Sequence, residues 1–226
     1  MSKVLFIDYD GTLHDTDAKF AGQFDGMYGL TSQEVIDNYV RVHLDIVHEK
    51  FPEKHDDFMF HQRLLCDRLG RPYNEEEARV MAAKFEDAHW GRWTNPLFFA
   101  DSLPFLDQVR GRYILCLTTG DYAQRKADAL EKAGGKSYFS HALDNTHLGI
   151  KGGSAYFGNA LMSTNALPED TVVIGDSLQQ DIAAAKEVGI TTVWVNRSGL
   201  PREDSAPRPD YEARDLLEVL KYLDGH

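Results

Sequence analysis

Short apolar segments that alternate with helical patterns constrain the fold of this chain more than any other feature of its sequence. Four such segments are rich in β-branched and aromatic side chains, at residues 3–7, 113–117, 171–174 and 191–195. Apolar runs of this length are typical of strands that are buried on both faces of a parallel sheet. Helices are predicted between and beside them, at residues 121–133, 154–165 and 178–188. Strand alternating with helix predicts an α/β fold built on a parallel sheet.

The composition limits the possible functions. The 226 residues carry 36 acidic and 24 basic side chains, a net charge of −12, which disfavours binding to duplex nucleic acid or to an anionic membrane.

Apolar stretches fall far short of the ~20 residues that span a bilayer, so we expect no transmembrane helix. The apolar run near the amino terminus is too short for a signal-peptide core, and we predict a cytoplasmic protein. Cys66 and Cys116 lack the spacing of a zinc or redox motif, so we expect reduced thiols.

Residues 18–93 break this alternation of strands and helices. They contain no strand-like run, and their apolar side chains recur at helical spacing, interrupted by glycine and proline. We predict three or four helices that form an all-helical cap domain over residues 17–94, inserted into a core of residues 1–16 and 95–226. The histidines of this segment form no His-Glu-x-x-His pattern and are interpreted as surface or partly packed side chains rather than zinc ligands. They are His43, His48, His55 and His61.

Polar side chains follow the predicted strands at the points where the strands end. In open parallel sheets ligands bind beyond the carboxyl ends of the strands, so these positions are candidate functional residues. Asp8 and Asp10 follow the first strand, and Asp176 follows the third, with Asp181 one helical turn later. Like charges about 4 Å apart repel by about 4 kcal/mol at an effective dielectric constant of ~20, so such a cluster needs a cation or shared protons. Carboxylate oxygens favour a hard ion such as Mg²⁺.

The candidate residues fall into four short motifs. In chain order these are Asp-Tyr-Asp-Gly-Thr-Leu at 8–13, Leu-Thr-Thr-Gly at 117–120, Lys151 six residues before Phe157, and Gly-Asp-Ser at 175–177 followed by Asp181. The set resembles the four motifs of the haloacid dehalogenase (HAD) superfamily of phosphotransferases, over about residues 3–196. The resemblance implies a Rossmann-like α/β core with a helical cap inserted between the first and second motifs. Two positions differ from the family pattern: Thr119 stands where Asn is usual, and Gly152 follows Lys151 where Pro is common.

The resemblance also implies a role for each motif residue. Asp8 is the implied nucleophile, and Asp10 is the implied acid and base. Thr118 is implied to hold the phosphoryl group, and Lys151 to offset its charge. Further substrate contacts are implied for Gly11, Thr12, Thr119 and Gly120. The implied ligands of Mg²⁺ are Asp8, the backbone carbonyl of Asp10, Asp176 and Asp181, the last either through water or by orienting Lys151.

These roles predict a Mg²⁺-dependent phosphatase that hydrolyses a small phosphate monoester through an aspartyl-phosphate. Enzymes accelerate such reactions by up to ~10²¹-fold, whereas general acid–base help supplies about 10² to 10⁴, so charge neutralisation and a covalent step are also needed. A sugar-phosphate mutase similar to β-phosphoglucomutase would use the same residues and stays an alternative. A dehalogenase is disfavoured because the family's dehalogenases lack the aspartate that Asp10 supplies. A non-catalytic phosphate-binding protein is disfavoured because every catalytic group is present.

The expected partner is a small phosphorylated metabolite, and the sequence leaves its identity and the oligomeric state open. Four arginines of the predicted cap are candidates for substrate specificity: Arg41, Arg63, Arg79 and Arg92. His14 lies next to the first motif, where either a substrate contact or a plain loop role is open. The Gly-Gly-Lys-Ser at residues 134–137 resembles the end of a P-loop, but Leu130 occupies the place of the first glycine, so we interpret it as a helix-ending turn.

Overall fold

The structure, a computed structural model, describes residues 3–153 and 155–225. The chain divides into two compact units. The core unit comprises Met1–Asp15 with Pro96–His226, and the helical unit comprises Thr16–Asn95. Among the described residues, no helix is both long enough and apolar enough to cross a bilayer.

The regular elements of the described residues follow one another along the chain. The strands are β1 Val4–Ile7, β2 Ile114–Thr118, β3 His141–Leu143, β4 Thr171–Gly175, β5 Thr191–Val195 and β6 Tyr211–Ala213. The α-helices are α1 Thr16–Phe20, α2 Ser32–Val42, α3 Phe58–Arg68, α4 Glu75–Thr94, α5 Ser102–Val109, α6 Ala123–Gly134, α7 Asn145–Leu148, α8 Tyr156–Thr164, α9 Ala184–Glu187 and α10 Leu216–Asp224. Two π-helical segments are His43–His48 and Leu178–Ala183, and short 3₁₀ turns are Met27–Gly29, Pro52–Lys54 and Pro168–Asp170.

The strands form a parallel sheet in the order β3-β2-β1-β4-β5-β6. β1 pairs in parallel with β2 and β4, so that Ile7 lies opposite both Leu117 and Ile174. Because these strands run in the same direction and end in register, the residues that follow them emerge at one edge of the sheet. The structure therefore confirms the predicted α/β class, with a helical insert between β1 and β2.

The side chains of β1 are buried on both faces of the sheet. Leu5 and Ile7 belong to one hydrophobic cluster, and Val4 and Phe6 belong to another. Successive side chains of a strand point to opposite faces, and helices cover both faces of this sheet. This arrangement explains why β1 is apolar throughout rather than alternating with polar residues.

In the helical unit, local capping and aromatic packing define the elements. The Thr31 side chain accepts from the amide of Glu34, and the Glu34 carboxylate accepts from the amide of Thr31 at 2.9 Å, which starts α2 with a capping box. The ring of Phe85 stacks on Phe24 and Tyr39, with centroid separations of 4.3 and 3.8 Å. The aromatic residues of this segment thus form much of its buried core.

The sequence pattern predicts the central strands better than the edge strands. β5 coincides with the predicted run at 191–195, whereas the short strands β3 and β6 were missed because three residues give little periodic signal. The single helix predicted at 178–188 is instead a π-helical turn followed by α9, and Gly189 after it has a φ of +78°. The helix predicted from residue 154 begins at Tyr156, and Ser154 itself lies outside the described residues.

Candidate active site

Asp8 follows β1 directly and lies buried at the carboxyl end of the sheet. Its amide donates to the carbonyl of Ile174 at 2.9 Å, which extends the pairing of β1 with β4 by one residue. The side chain is 6% exposed and pairs with Nζ of Lys151. Its carboxylate also accepts a hydrogen bond from Thr12 Oγ1 at 3.2 Å. The residue predicted as the nucleophile is therefore held in place by two donors.

Lys151 is a buried cation that bridges two carboxylates. Its Nζ pairs with Asp8 and lies 2.7 Å from Asp181 Oδ1. Its amide donates to Asn145 Oδ1 at 2.9 Å, which fixes the loop before α8. Desolvation disfavours the charge on Lys151, but Asp181 and Asp8 outweigh it and hold the pKa of the amine well above its usual range. Lys151 is therefore charged at neutral pH.

Asp8, Asp176 and Asp181 form a group of carboxylates, and one oxygen from each lies within 4.8 Å of the others. Desolvation raises the pKa of Asp8 to about 6; Lys151 opposes this rise and Asp181 adds to it. Asp176 reaches the surface, yet its carboxylate faces the other two. Desolvation of that carboxylate, and then repulsion by Asp8 and Asp181, hold its pKa well above the usual range. The group carries more negative charge than Lys151 offsets, which fits a bound cation.

Two motif glycines make room for these carboxylates. Gly11 has a φ of +77°, and a Cβ at this position would overlap the carboxylate of Asp176. A Cβ on Gly175 would overlap the carboxylate of Asp181. A side chain at either position would displace a carboxylate from the group, so both glycines have a steric role.

Asp10 faces a different buried lysine. Nζ of Lys126, on α6, lies 2.8 Å from Asp10 Oδ2 and 2.5 Å from Asp121 Oδ1, and it donates to Thr119 Oγ1 at 2.8 Å. His14 Nδ1 lies 3.7 Å from Asp10 Oδ1 on the other side. The Asp10 side chain is 28% exposed, so its carboxylate is accessible to water while Lys126 holds it.

Lys126 is a site residue that the motif comparison missed. Its side chain is completely buried. It lies on the buried face of α6 with Ala123, Ala127 and Leu130, at the spacing of an apolar helical stripe. A lysine in such a stripe must be paired when it is buried. The place of Lys126 within the apolar stripe of α6 was the signal in the sequence that could have identified it as a paired, buried residue.

Thr118 ends β2 with a buried hydroxyl group. Within residues 3–153 and 155–225, Thr118 Oγ1 has no hydrogen-bond partner. A buried polar group without a partner is costly. The hydroxyl of Thr118 is therefore suited to donate a hydrogen bond to an oxygen atom of a bound ligand. The neighbouring Thr119 is part of the scaffold, since its hydroxyl accepts from Lys126 and its carbonyl accepts from Tyr156 at 2.7 Å. Substrate contacts of Thr119 and Gly120 stay predictions.

The loop after β1 is closed by its own backbone. The amide of Gly11 donates to the carbonyl of His14 at 2.9 Å, and the amide of Thr12 donates to the carbonyl of Tyr9 at 3.3 Å. Both amides therefore have an internal acceptor in this structure. The contact of Gly11 and Thr12 with substrate that the resemblance implies stays a prediction.

Arg197, which follows β5 and lies outside the motifs, anchors this loop. Its Nη2 donates to the carbonyl of Thr12 at 2.7 Å. The guanidinium also forms a bidentate pair with Asp101, at 3.0 and 3.1 Å, and lies 3.7 Å from the ring centroid of Phe99. No motif points to Arg197, because its role depends on a tertiary contact with a loop far away in the sequence.

The structure brings together the side chains of three predicted metal ligands. Asp8, Asp176 and Asp181 could hold a metal ion between them. The side chain of Asp10 turns instead to Lys126, so any contribution from Asp10 rests on its backbone carbonyl and stays a prediction. Asp181 contacts Lys151 directly, which agrees with the orienting role considered for it.

The chain resembles known hydrolases in sequence. A family model described as HAD-hydrolase-like matches residues 151–219. A phosphoserine phosphatase from Thermus thermophilus is 34% identical over 147 residues, which cover 64% of this chain and only 57% of that protein. An N-acylneuraminate-9-phosphatase from Mus musculus is 25% identical over 98% of this chain and 93% of its own. A glyceraldehyde 3-phosphate phosphatase from Pyrococcus furiosus is 27% identical over 99% of this chain and 95% of its own.

Solved structures share the fold. The HAD-hydrolase YfnB from Bacillus subtilis, bound to magnesium, has a TM-score of 0.71 at 19% identity over 99% of both chains. An L-2-haloacid dehalogenase from Xanthobacter autotrophicus, with chloropropionic acid covalently bound, has a TM-score of 0.71 at 16% identity, covering 100% of this chain and 99% of that one. The chain thus shares with these proteins an α/β core with a helical insert. In both sequence and fold the chain is similar to hydrolases of the haloacid dehalogenase superfamily, and its relatives in sequence are phosphatases.

Proposed function

We propose that the chain hydrolyses a small phosphate monoester by forming an aspartyl-phosphate on Asp8. The observation that carries this proposal is the environment of Asp8, a buried carboxylate paired with Lys151 beside Asp176 and Asp181. A carboxylate that is fixed in this way can act as a nucleophile, and the neighbouring charges suit a phosphoryl group together with a cation.

Two steps account for the reaction. In the first, an oxygen of Asp8 bonds to phosphorus while the bond from phosphorus to the leaving oxygen breaks, and Asp10 gives that oxygen a proton. In the second, Asp10 takes a proton from a water molecule that attacks phosphorus, and the bond between Asp8 and phosphorus breaks to release inorganic phosphate. The proton gained in the second step restores Asp10. Lys126, 2.8 Å from Asp10, positions this acid and base.

Two further groups would stabilise the charge that develops on the phosphoryl oxygens. The hydroxyl of Thr118 can donate to one of them, which would satisfy a side chain that is otherwise without a partner among the described residues. The ammonium of Lys151 offsets the negative charge that Asp8 and the phosphoryl group bring together. Both groups are preorganised by burial, so little reorganisation is needed during the reaction.

We infer that Mg²⁺ is the resident ion and that Asp8, Asp176 and Asp181 hold it. The support is the close approach of their carboxylate oxygens and the raised pKa values of Asp8 and Asp176. When bound, Mg²⁺ would supply charge neutralisation and orientation of the phosphoryl group. The magnesium found in the B. subtilis protein of the same fold supports the choice of this ion.

The position of Asp10 favours a phosphatase over a dehalogenase. Hydrolysis of a phosphate monoester needs a proton for the leaving oxygen, and Asp10, held by Lys126 and 28% exposed, is a carboxyl group that could supply it. A sugar-phosphate mutase would use the same residues. The phosphatase names of the relatives with high coverage support hydrolysis.

The relatives act on different compounds by name, namely phosphoserine, glyceraldehyde 3-phosphate and N-acylneuraminate 9-phosphate. We therefore propose a small phosphorylated metabolite as the substrate class, without a nucleic-acid partner. The arginines of the helical unit stay candidates for recognition of the rest of the substrate.

Phosphate release from a panel of phosphorylated sugars, glycolate, nucleotides and cofactors tests the proposal. With Mg²⁺, the wild-type protein should release inorganic phosphate from at least one of them, and Asp8→Asn should not. Asp128→Asn is the matched control, since Asp128 is an exposed aspartate of α6. Absence of release from the whole panel, or normal turnover by Asp8→Asn, would overturn the assignment.

Two measurements refine the same test. Mass spectrometry of a quenched reaction should show one phosphoryl group on a peptide that contains Asp8. Turnover that depends on a sugar bisphosphate, without net release of phosphate, would indicate the mutase instead.

A further inference from the structure

We propose that the helical unit contains a further metal site, in which His43, His48 and His55 bind a divalent d-block ion of the zinc type. One ring nitrogen from each histidine lies within 4.8 Å of the others. The ring centroids are separated by 4.3, 4.8 and 5.1 Å. Imidazole nitrogen suits zinc, copper and nickel, whereas the carboxylates of the core unit suit Mg²⁺, so the two sites select different ions.

The π-helical segment His43–His48 brings two of these histidines together. In an α-helix, residues five positions apart are separated by about 140° around the axis and face different directions. Hydrogen bonding from residue i to residue i+5 returns the chain to the same side after five residues, so His43 and His48 share one face. Segments of this kind are rare and frequently occur at functional sites. The sequence spacing alone does not suggest a metal site, because it matches no pattern of an α-helix.

A chain of hydrogen bonds fixes the ring of His43. The carbonyl of Asp57 can only accept, so His61 Nδ1, 2.9 Å away, must donate to it. His61 is completely buried, and a buried imidazolium would be costly, so its Nε2 is an acceptor. His43 Nδ1 lies 2.9 Å from His61 Nε2 and therefore donates to it. This places the proton of His43 on Nδ1 and its lone pair on Nε2, the form of the ring that can bind a metal ion through Nε2.

His55 is oriented by a carboxylate. Its Nδ1 lies 2.8 Å from Asp56 Oδ1, which accepts the ring N–H and leaves the lone pair on Nε2. Histidines that bind metals commonly donate their other nitrogen to a carboxylate or a carbonyl, and such partners raise the basicity of the ligand. His55 shows this arrangement directly, whereas His43 donates to His61, which in turn donates to the carbonyl of Asp57.

The geometry permits an ion to bind with small movements. Zinc–nitrogen bonds of about 2.0–2.1 Å place tetrahedral ligand atoms about 3.4 Å apart, and the ring nitrogens lie within 4.8 Å of one another, so they need to approach by at most about 1.4 Å. A surface cavity of about 560 Å³ is lined by His55 and by the acidic Glu53, Asp56 and Glu86, so negative charge surrounds the side of His55 that faces this cavity. Three imidazoles leave the fourth position to water or to an anionic ligand.

Zinc titration of the full chain tests this site. The protein is freed of metals and titrated with Zn²⁺ against a chromophoric chelator, in excess Mg²⁺ so that the carboxylate group is occupied. We expect one zinc ion per chain in the wild-type protein and in Asp176→Asn. His43→Gln and His55→Gln should each weaken binding by at least about tenfold, whereas His147→Gln, an exposed histidine paired with an aspartate in the core unit, should not change it. Absence of zinc binding, or binding that is lost in Asp176→Asn and kept in the histidine variants, would overturn the proposal.

Two further measurements guard against misfolded variants. Asp56→Asn keeps all three imidazoles and should still weaken zinc binding by about 10- to 100-fold, with an unchanged circular dichroism spectrum. Co²⁺ in the wild-type protein should give the strong visible absorption of a four-coordinate nitrogen site, since coordination geometry is diagnostic of the ligand set. A weak spectrum typical of six oxygen ligands, or unchanged affinity in Asp56→Asn, would contradict the assigned ligands.

Discussion

Two buried lysines meet the carboxyl edge of the core sheet, and each bridges two aspartates. Lys151 pairs with Asp8 and Asp181, and we call these three residues the Lys151 set. Lys126 pairs with Asp10 and Asp121, and we call these three residues the Lys126 set. The Lys126 set is partly open to solvent, with side chains of Asp10 and Asp121 that are 28% and 16% exposed, whereas those of Asp8 and Asp181 are 6% and 1% exposed. The two sets thus contain the same kinds of residue in different dielectric environments.

The difference between the sets lies in how their charge is balanced. The ammonium group of Lys126 also donates a hydrogen bond to the neutral hydroxyl of Thr119. Solvent screens the charges of Asp10 and Asp121. The Lys151 set faces the additional carboxylate of Asp176, so three carboxylates lie close to one lysine. One set is therefore suited to hold an acid and base in place, and the other is suited to bind a divalent ion and a phosphoryl group.

The largest expected difference between the sets is in turnover. Asp8→Asn removes the nucleophile, so kcat should fall by about 10⁴-fold or more. Asp10→Asn removes only the acid and base, and kcat should fall by about 10²- to 10⁴-fold. Phosphate release under saturating substrate measures both. Equal residual rates in the two variants would mean that the two aspartates do not have separate roles.

Substitution of each lysine by methionine should lower the unfolding free energy by a different amount in the two sets. Lys151→Met leaves three crowded carboxylates, and the metal-free protein should lose about 3–5 kcal/mol of unfolding free energy. Lys126→Met should cost about 1–3 kcal/mol, because its aspartates are better solvated. Urea unfolding at pH 7.5 measures both values. Added Mg²⁺ should recover stability in Lys151→Met and not in Lys126→Met, and the opposite pattern would show that the ion binds elsewhere.

The raised pKa of Asp8 predicts a pH dependence of stability. Its pKa is 3.8 in the unfolded chain and about 6 in the folded, metal-free protein. The folded state therefore binds more protons between these values, and its stability falls as pH rises from about 4 to about 6. A shift of about two units corresponds to about 3 kcal/mol. In Asp8→Asn this contribution should be absent, so the variant should be more stable than the wild-type protein at pH 7.5 without metal.

Thermal unfolding without and with Mg²⁺ checks this prediction. Because protons compete with the ion for Asp8, Mg²⁺ should raise Tm of the wild-type protein more at pH 7.5 than at pH 5. Asp10→Asn should keep that difference, since Asp10 lies in the other set. A wild-type Tm that responds equally to Mg²⁺ at both pH values would contradict the raised pKa of Asp8.

The sequence pattern was sufficient to predict the centre of the fold, and the resemblance of the motifs proposed the members of the Lys151 set, whose roles stay predictions. β1, β2 and β4 are apolar runs buried on both faces, and each ends in a polar motif, so pattern and register agree. Asp8 and Asp176 directly follow such strands. Their approach follows from the parallel pairing of β1 with β4, because the carboxyl ends of the two strands meet at one edge of the sheet.

The Lys126 set could not be predicted from motifs, because it depends on the face of α6 that becomes buried. The apolar positions of α6 indicate that face, but the partner of Lys126 emerges only when β1 and β2 lie side by side. The same limit applies to the histidines of the helical unit. A π-helical turn changes which residues share a face, and no propensity argument predicts such a turn.

The smallest expected effect concerns the contact that anchors the loop between the two sets. Arg197 holds the carbonyl of Thr12, whose hydroxyl donates to Asp8, and it binds Asp101 with two nitrogens. Arg197→Lys keeps the charge but loses the bidentate geometry, which should cost about 1–2 kcal/mol of unfolding free energy. Because the loop carries both Asp8 and Asp10, kcat should fall by about tenfold through misplacement of both aspartates. Urea unfolding and kcat of the variant test this, and a loss of stability without any change in kcat would show that Arg197 supports the fold and not the alignment of the aspartates.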